Sequence, residues 1–242
     1  MTWEEVRDLE RERTVAILPV GAVEAHGPHL PLGTDVIIAR AMARAGAAVL
    51  AESGWGAVLL PPIWYSAAPF AREFPGTVGV GPDTLTLLVG EIAASLRRQE
   101  FAALALANAH LDPEHLASLE RVVEESAEGD LPVVAPNLAR GRHARRLTRE
   151  FQSGACHAGR FEGSVILAEA PALVRTEVAR GLAPNPASLS EAIAAGHGTF
   201  HEAGGPRAYF GWPAEATAVE GRETVAELGR ILAEAVLEEI EG

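Results

Sequence analysis

Residues 15–20 and 103–107 are unbroken apolar runs, and a short way beyond each one histidines and carboxylates gather. Short, wholly apolar runs suit strands buried on both faces, as in a parallel sheet with helices above and below. Residues 57–60 and 131–135 read as two further strands. Helical patterns separate them. Residues 36–50 predict a helix with Thr34 or Asp35 as its cap and Gly54 near its end, and Asp83 predicts the cap of a second helix running to about Arg98. Pro113, a residue favoured in the first helical turn, opens a third that runs to about Ser126. Residues 219–240 predict a long final helix with Glu and Arg on its outer face. The apolar segment 163–170 leaves helix and strand both open, and residues 183–213 are loop-rich. Strands alternating with helices give an α/β fold, here a single three-layer α/β/α domain over residues 1–242 with a largely parallel central sheet.

Composition excludes several chemistries. The chain has one cysteine, Cys156, so it holds no intrachain disulfide and no cysteine-built zinc or iron–sulfur site. It has no lysine, which removes a Walker phosphate loop and Schiff-base catalysis. A net charge of −13 argues against nucleic acid or anionic membrane as partners. No apolar run is long enough for a membrane-spanning helix. The charged, acidic start at residues 1–8 resembles neither a signal nor a transit peptide, so the expected location is the cytoplasm.

The densest polar cluster follows the first strand. Glu24, His26, His29 and Asp35 fall within twelve residues, in a loop rich in Gly and Pro. In open α/β sheets sites form at the carboxyl ends of strands, where this loop begins. Glu24 and His26 are two residues apart, so in extended chain they face the same side. His110 ends the run at 103–107, Asp112 follows it, and His157 with Glu162 forms a third polar group. Carboxylate and imidazole donors without thiolates suit Zn²⁺, Mn²⁺ or Fe²⁺. On sequence alone Asp35 and Asp112 serve equally well as helix caps, a role that leaves one carboxylate oxygen free to reach a metal. His115, His143, His197 and His201 read as surface or satisfied core residues.

The segment 19–35, Pro-Val-Gly-Ala-Val-Glu-Ala-His-Gly-Pro-His-Leu-Pro-Leu-Gly-Thr-Asp, resembles the signature of the creatininase family. Phe74-Pro-Gly-Thr, Asn108-Ala-His110, His157-Ala-Gly-Arg-Phe-Glu162-Gly-Ser and the stretch 211–221 resemble its later motifs in the same order. The resemblance implies a creatininase-like fold and an amidohydrolase with two divalent metal ions per subunit. It would place Glu24, Asp35 and His110 on one ion, with His26 and a bridging Asp35 on the other. Asp112 or Glu162 would complete the second site. His157 would be the proton-transferring histidine, with Glu162 and Asp112 as further catalytic candidates. The implied mechanism is attack of a metal-bridging hydroxide on an amide carbon.

Two departures bear on the substrate. The family's Asn-Gly-His-Gly-Gly-Asn is Asn108-Ala-His-Leu-Asp-Pro113 here, and the stretch before His157 lacks the tryptophans that close over creatinine in its creatinine-hydrolysing members. The expected substrate is therefore a small-molecule amide, cyclic amide or formamide other than creatinine. A peptidase acting on a short peptide and a non-catalytic metal-binding assembly protein are the alternatives. The resemblance also implies a homo-oligomer, commonly a hexamer.

Overall fold

The computed structural model describes residues 1–127 and 129–242. Its sheet is wholly parallel: β1 (Thr14–Val20), β2 (Gly56–Leu59), β3 (Ala103–Asn108) and β4 (Val133–Val134) lie in the order β2-β1-β3-β4. The helices are α1 (Trp3–Arg7), α2 (Thr34–Glu52), α3 (Pro82–Arg97), α4 (Pro113–Ser126) and α5 (Gly141–Ala144). There follow α6 (Arg149–Gln152), α7 (Arg160–Glu169), α8 (Thr176–Arg180), α9 (Leu189–Ala194) and α10 (Ala218–Glu241).

Every residue of β1 and β3 is buried, as their apolar runs predict. The strand alternation divides the core in two. Val15 and Ile17 face one side with Ile38, Met42, Val165, Leu228 and Leu232, which belong to α2, α7 and α10. Ala16, Leu18 and Val20 face the other side with Leu85, Val89, Leu119 and Val122, from α3 and α4. This is the three-layer arrangement, and each fully buried Leu or Ile contributes about 1.5–3 kcal/mol of hydrophobic stabilisation. The undecided segment 163–170 is helical, because α7 packs along both α2 and α10 rather than joining the sheet. The strand expected over 131–135 is reduced to Val133 and Val134.

Two helix starts differ from expectation. Gly33 precedes α2, so neither Thr34 nor Asp35 is its cap: the Thr34 hydroxyl donates to Pro31 O (2.7 Å), and the Asp35 carboxylate turns inward. Helix α3 begins at Pro82 after Gly81, since proline fits the first helical position. Asp83 therefore lies in the first turn, where its charge still favours the helix N-terminus. Within 183–213 the described helix is α9, and the rest is turns and loops.

The connections set the functional edge. From β1 the chain crosses by α2 to β2 on one side, whereas β3 leads through α4 to β4 on the other. The strand order thus reverses between β1 and β3, whose last residues, Val20 and Asn108, are register partners. A crevice at the carboxyl ends of such strands is where open α/β sheets place their sites.

Candidate metal centre

Both polar loops rise from that crevice. Glu24 and His26 follow β1, His110 follows β3, and Asp35 enters from the first turn of α2. Gly21 permits this closeness, because a Cβ there would lie 2.6 Å from Val36 N in the same turn of α2. His157 and Glu162 come from the segment that begins α7. The structure brings six residues into three overlapping groups: Glu24, His26 and His157; Glu24, Asp35 and His110; His26, Asp35 and Glu162. Within each group the potential ligand atoms lie within 4.8 Å of one another. All six residues are buried.

The three imidazoles share one arrangement. His26 Nδ1–H donates to Glu24 O (3.2 Å), His110 Nε2–H to Ala67 O (2.8 Å) and His157 Nε2–H to Ala25 O (2.9 Å). A carbonyl only accepts, so each bond fixes a proton on that nitrogen and turns the other one inward. His26 Nε2 then stands 3.1 Å from Asp35 Oδ1 and 3.5 Å from Glu162 Oε2. His110 Nδ1 stands 3.2 Å from Asp35 Oδ2 and 3.3 Å from Glu24 Oε1, and His157 Nδ1 is 3.8 Å from Glu24 Oε1. Glu24 Oε2, His26 Nε2 and Asp35 Oδ2 are buried without a hydrogen-bond partner. Ring nitrogens and carboxylate oxygens that converge in this way need a cation between them, either a proton or a metal ion. Six nitrogen and oxygen donors with unpartnered buried atoms fit a divalent cation site.

Protons carry that role in the chain alone. Burial would lower His26, but Asp35, Glu162 and Glu24 outweigh it and raise its pKa to about 10. His110 is likewise raised well above the ordinary value, against burial, by Glu24 and Asp35. Asp35 is held below the usual carboxylate range by His26 and His110 despite its burial. Burial raises Glu162 to about 8, opposed by His26 and reinforced by Asp35. His157 goes the other way: burial, and then the neighbouring His26, lower it to about 4. Its ring is sandwiched between those of His26 (4.3 Å) and Phe200 (4.2 Å).

The remaining sequence candidates lie outside these three groups, Asp112 beside them in one cavity. Asp112 belongs to none of the three groups; its Oδ1 caps α4 through Glu114 N (3.0 Å), and its Oδ2 accepts from Phe70 N (3.2 Å). Burial raises its pKa to about 6. His29 is buried but outside the groups, with its ring edge-on to Tyr209. His115 takes a supporting part that its sequence position does not announce. Fully buried, it donates from Nε2 to Asn108 Oδ1 (2.8 Å) and accepts from the Ser66 hydroxyl at Nδ1. Asn108 in turn binds His110 N (3.0 Å) and His110 O (2.8 Å), which fixes the backbone of a cluster residue. The His115 ring lies edge-on to that of His110 (4.7 Å), yet a histidine in the first turn of α4 carries no motif. The one available signal is its place on the inward face of α4.

A cavity of about 190 Å³ opens over the cluster. Glu24, Asp35, His110, Asp112, His157 and Glu162 reach it, and Phe70, Leu111, Phe151, Leu189, Ile193 and Phe200 give it apolar walls. Among the described residues no arginine lines it.

The chain is similar to several known proteins. It is 34% identical over 218 residues to the mycofactocin precursor peptide peptidase of Mycobacterium ulcerans, covering 88% of this chain and 80% of that protein. It is 36% identical over 222 residues to the protein of the same name from Mycobacterium tuberculosis, covering 87% and 79%. A crystal structure of creatinine amidohydrolase (creatininase) shares the fold, with a TM-score of 0.76 at 24% identity, covering 100% of this chain and 96% of that one. The family described as creatininase, creatinine amidohydrolase, matches residues 1–236. The chain belongs to the creatininase family of metal-dependent hydrolases.

Proposed function

We propose that this chain hydrolyses an amide bond in a short peptide, using two divalent cations per subunit. The observation that carries the hydrolytic reading is the convergence of three imidazoles, each pinned to a backbone carbonyl, on three buried carboxylates. The peptide is favoured by the relatives of M. ulcerans and M. tuberculosis, which are named as peptidases and match most of the chain. The sequence alone favours a small-molecule amide, and that expectation gives way here to the second choice.

In this reading Glu24, Asp35 and His110 would hold one ion, and His26, Asp35 and Glu162 would hold the other. When bound, such cations supply Lewis acidity and neutralise charge that develops on an amide oxygen. His157 is neutral near pH 7, with Nδ1 facing the cluster and free to take a proton. That atom accepts the proton of the attacking water and returns it to the leaving nitrogen. Phe200 and Ala25 O hold the ring in place for both transfers. The apolar walls exclude water and accept uncharged side chains beside the scissile bond. Asp112 supports the site as a cap and latch rather than as a ligand. The same reading carries a homo-oligomer, a hexamer by family likeness, working in the cytoplasm.

One observation favours the small-molecule alternative: the cavity, at about 190 Å³, is smaller than a usual ligand pocket. A single assay separates the two. The chain is stripped with chelator, reloaded with Zn²⁺, Mn²⁺ or Fe²⁺, and incubated with short apolar peptides and with a panel of formamides and cyclic amides. Metal-dependent peptide cleavage that disappears in His157→Ala supports the proposal. Cleavage confined to the small amides replaces it with the alternative, and no cleavage by any loaded form removes both.

A further inference from the structure

A buried carboxylate outside the cluster joins the two segments behind His157 and Glu162. Glu150, in the single turn of α6, is 5% exposed. Its Oε1 accepts from Phe161 N (2.7 Å), and its Oε2 accepts from Arg160 N (2.9 Å) and Trp212 N (2.7 Å). Arg160 and Phe161 open α7 immediately before Glu162, and their N–H groups are among those a helix leaves free at its N-terminus. Trp212 lies in the distant turn that also sends Phe210 N to His157 O (2.7 Å). One side chain thus fastens both flanks of the same loop.

The local sequence is built around this carboxylate. Gly159 and Gly211 are the residues it passes, and a Cβ on either would collide with it. Between His157 and Gly159, Ala158 adopts φ +50°, a left-handed conformation unfavourable to a residue with a side chain, and donates its N–H to Glu162 Oε2 (2.6 Å). A backbone held in such a region persists where its surroundings over-determine it. The three Glu150 bonds supply that constraint next to the two residues whose placement matters.

We propose that Glu150 is a positioning residue for the metal centre: by clamping the first turn of α7 to the Trp212 turn, its carboxylate fixes where His157 and Glu162 stand. The inference rests on the metal-centre reading and names a residue whose carboxylate bonds to backbone N–H groups rather than to the six cluster side chains.

The test uses Glu150→Gln, which keeps the size but replaces one acceptor oxygen with an amide that meets a backbone N–H donor to donor. Hydrogen–deuterium exchange of the metal-free full chain should speed up in residues 158–163 and 210–213 together. Co²⁺ titration, followed by visible absorption, should show a Kd weakened about 10- to 100-fold. In a Glu162→Gln background the Glu150 substitution should add nothing further to that Kd, because it acts through Glu162. Glu150→Asp, which retains the charge but withdraws the oxygens, carries the same readouts should the glutamine variant not fold. Unchanged exchange in either segment, or full additivity with Glu162→Gln, overturns the proposal. A wild-type chain that binds no Co²⁺ overturns the metal-centre reading instead, and the exchange pattern then decides the clamp by itself.

Discussion

His26 Nε2 lies 3.1 Å from Asp35 Oδ1, although His26 comes from the middle of the loop between β1 and α2 and Asp35 from the first turn of α2. The imidazole is fully buried, and the carboxylates of Asp35, Glu162 and Glu24 raise its pKa to about 10 in spite of that burial. A cation entering the cluster must displace this proton, so affinity for Zn²⁺ rises with pH up to that range. For each proton displaced, apparent affinity should fall about tenfold per pH unit between pH 8 and 6. The stability of the metal-free chain has the opposite sign. His26 is raised above its unfolded value of 6.5, so its contribution is complete below pH 6.5 and is lost as pH rises through about 10. Calorimetric titration with Zn²⁺ in buffers of different ionisation enthalpy counts the protons. Release of about one or more per chain is expected, and release of none contradicts the assignment.

Asp112 separates capping from ligation. Asp112→Ala removes the cap of α4 and the bond from Phe70 N, at a cost of about 1–2 kcal/mol in urea unfolding. Asp112→Asn retains an acceptor for Glu114 N and should leave metal content unchanged. A loss of metal in the asparagine variant would return Asp112 to the ligand set.

His115 is a buried relay between Ser66 and Asn108, so His115→Leu leaves the Ser66 hydroxyl without its partner and Asn108 Oδ1 with one donor, His110 N, instead of two. The expected cost is about 1–3 kcal/mol by thermal or urea unfolding. His201, exposed and stacked on Phe74, provides the contrast: His201→Ala should change stability by less than about 0.5 kcal/mol. Equal effects of the two substitutions would remove the relay from the account.

Much of this arrangement is legible in the chain itself. The apolar runs at 15–20 and 103–107 are β1 and β3 because a parallel strand covered on both faces leaves no position for a polar side chain. Glu24, His26 and His110 are legible for the same reason, being the first titratable residues after those runs. Helix starts are less so. Asp35 has the composition of a cap, yet Gly33 takes that place and the aspartate turns to the cluster, a choice made by the tertiary contacts of α2. Glu150 carries no sequence signal, since a glutamate in a one-turn helix looks like any surface acid until Gly159 and Gly211 are folded against it. The choice between peptide and small amide is equally hidden, because the cavity walls come from Phe70, Leu111, Phe151, Leu189 and Phe200, which are far apart in the chain.

The proposed hydrolase depends above all on five buried residues, Glu24, His26, Asp35, His110 and Glu162, holding divalent cations. Its most direct test is elemental analysis, by inductively coupled plasma mass spectrometry, of the wild-type chain and of His26→Ala after equilibration with Zn²⁺ or Mn²⁺. About two ions per wild-type chain are expected, as in two-metal hydrolases, with loss of at least one in the variant. A wild-type chain that takes up neither ion, or a variant that keeps both, would contradict that assignment.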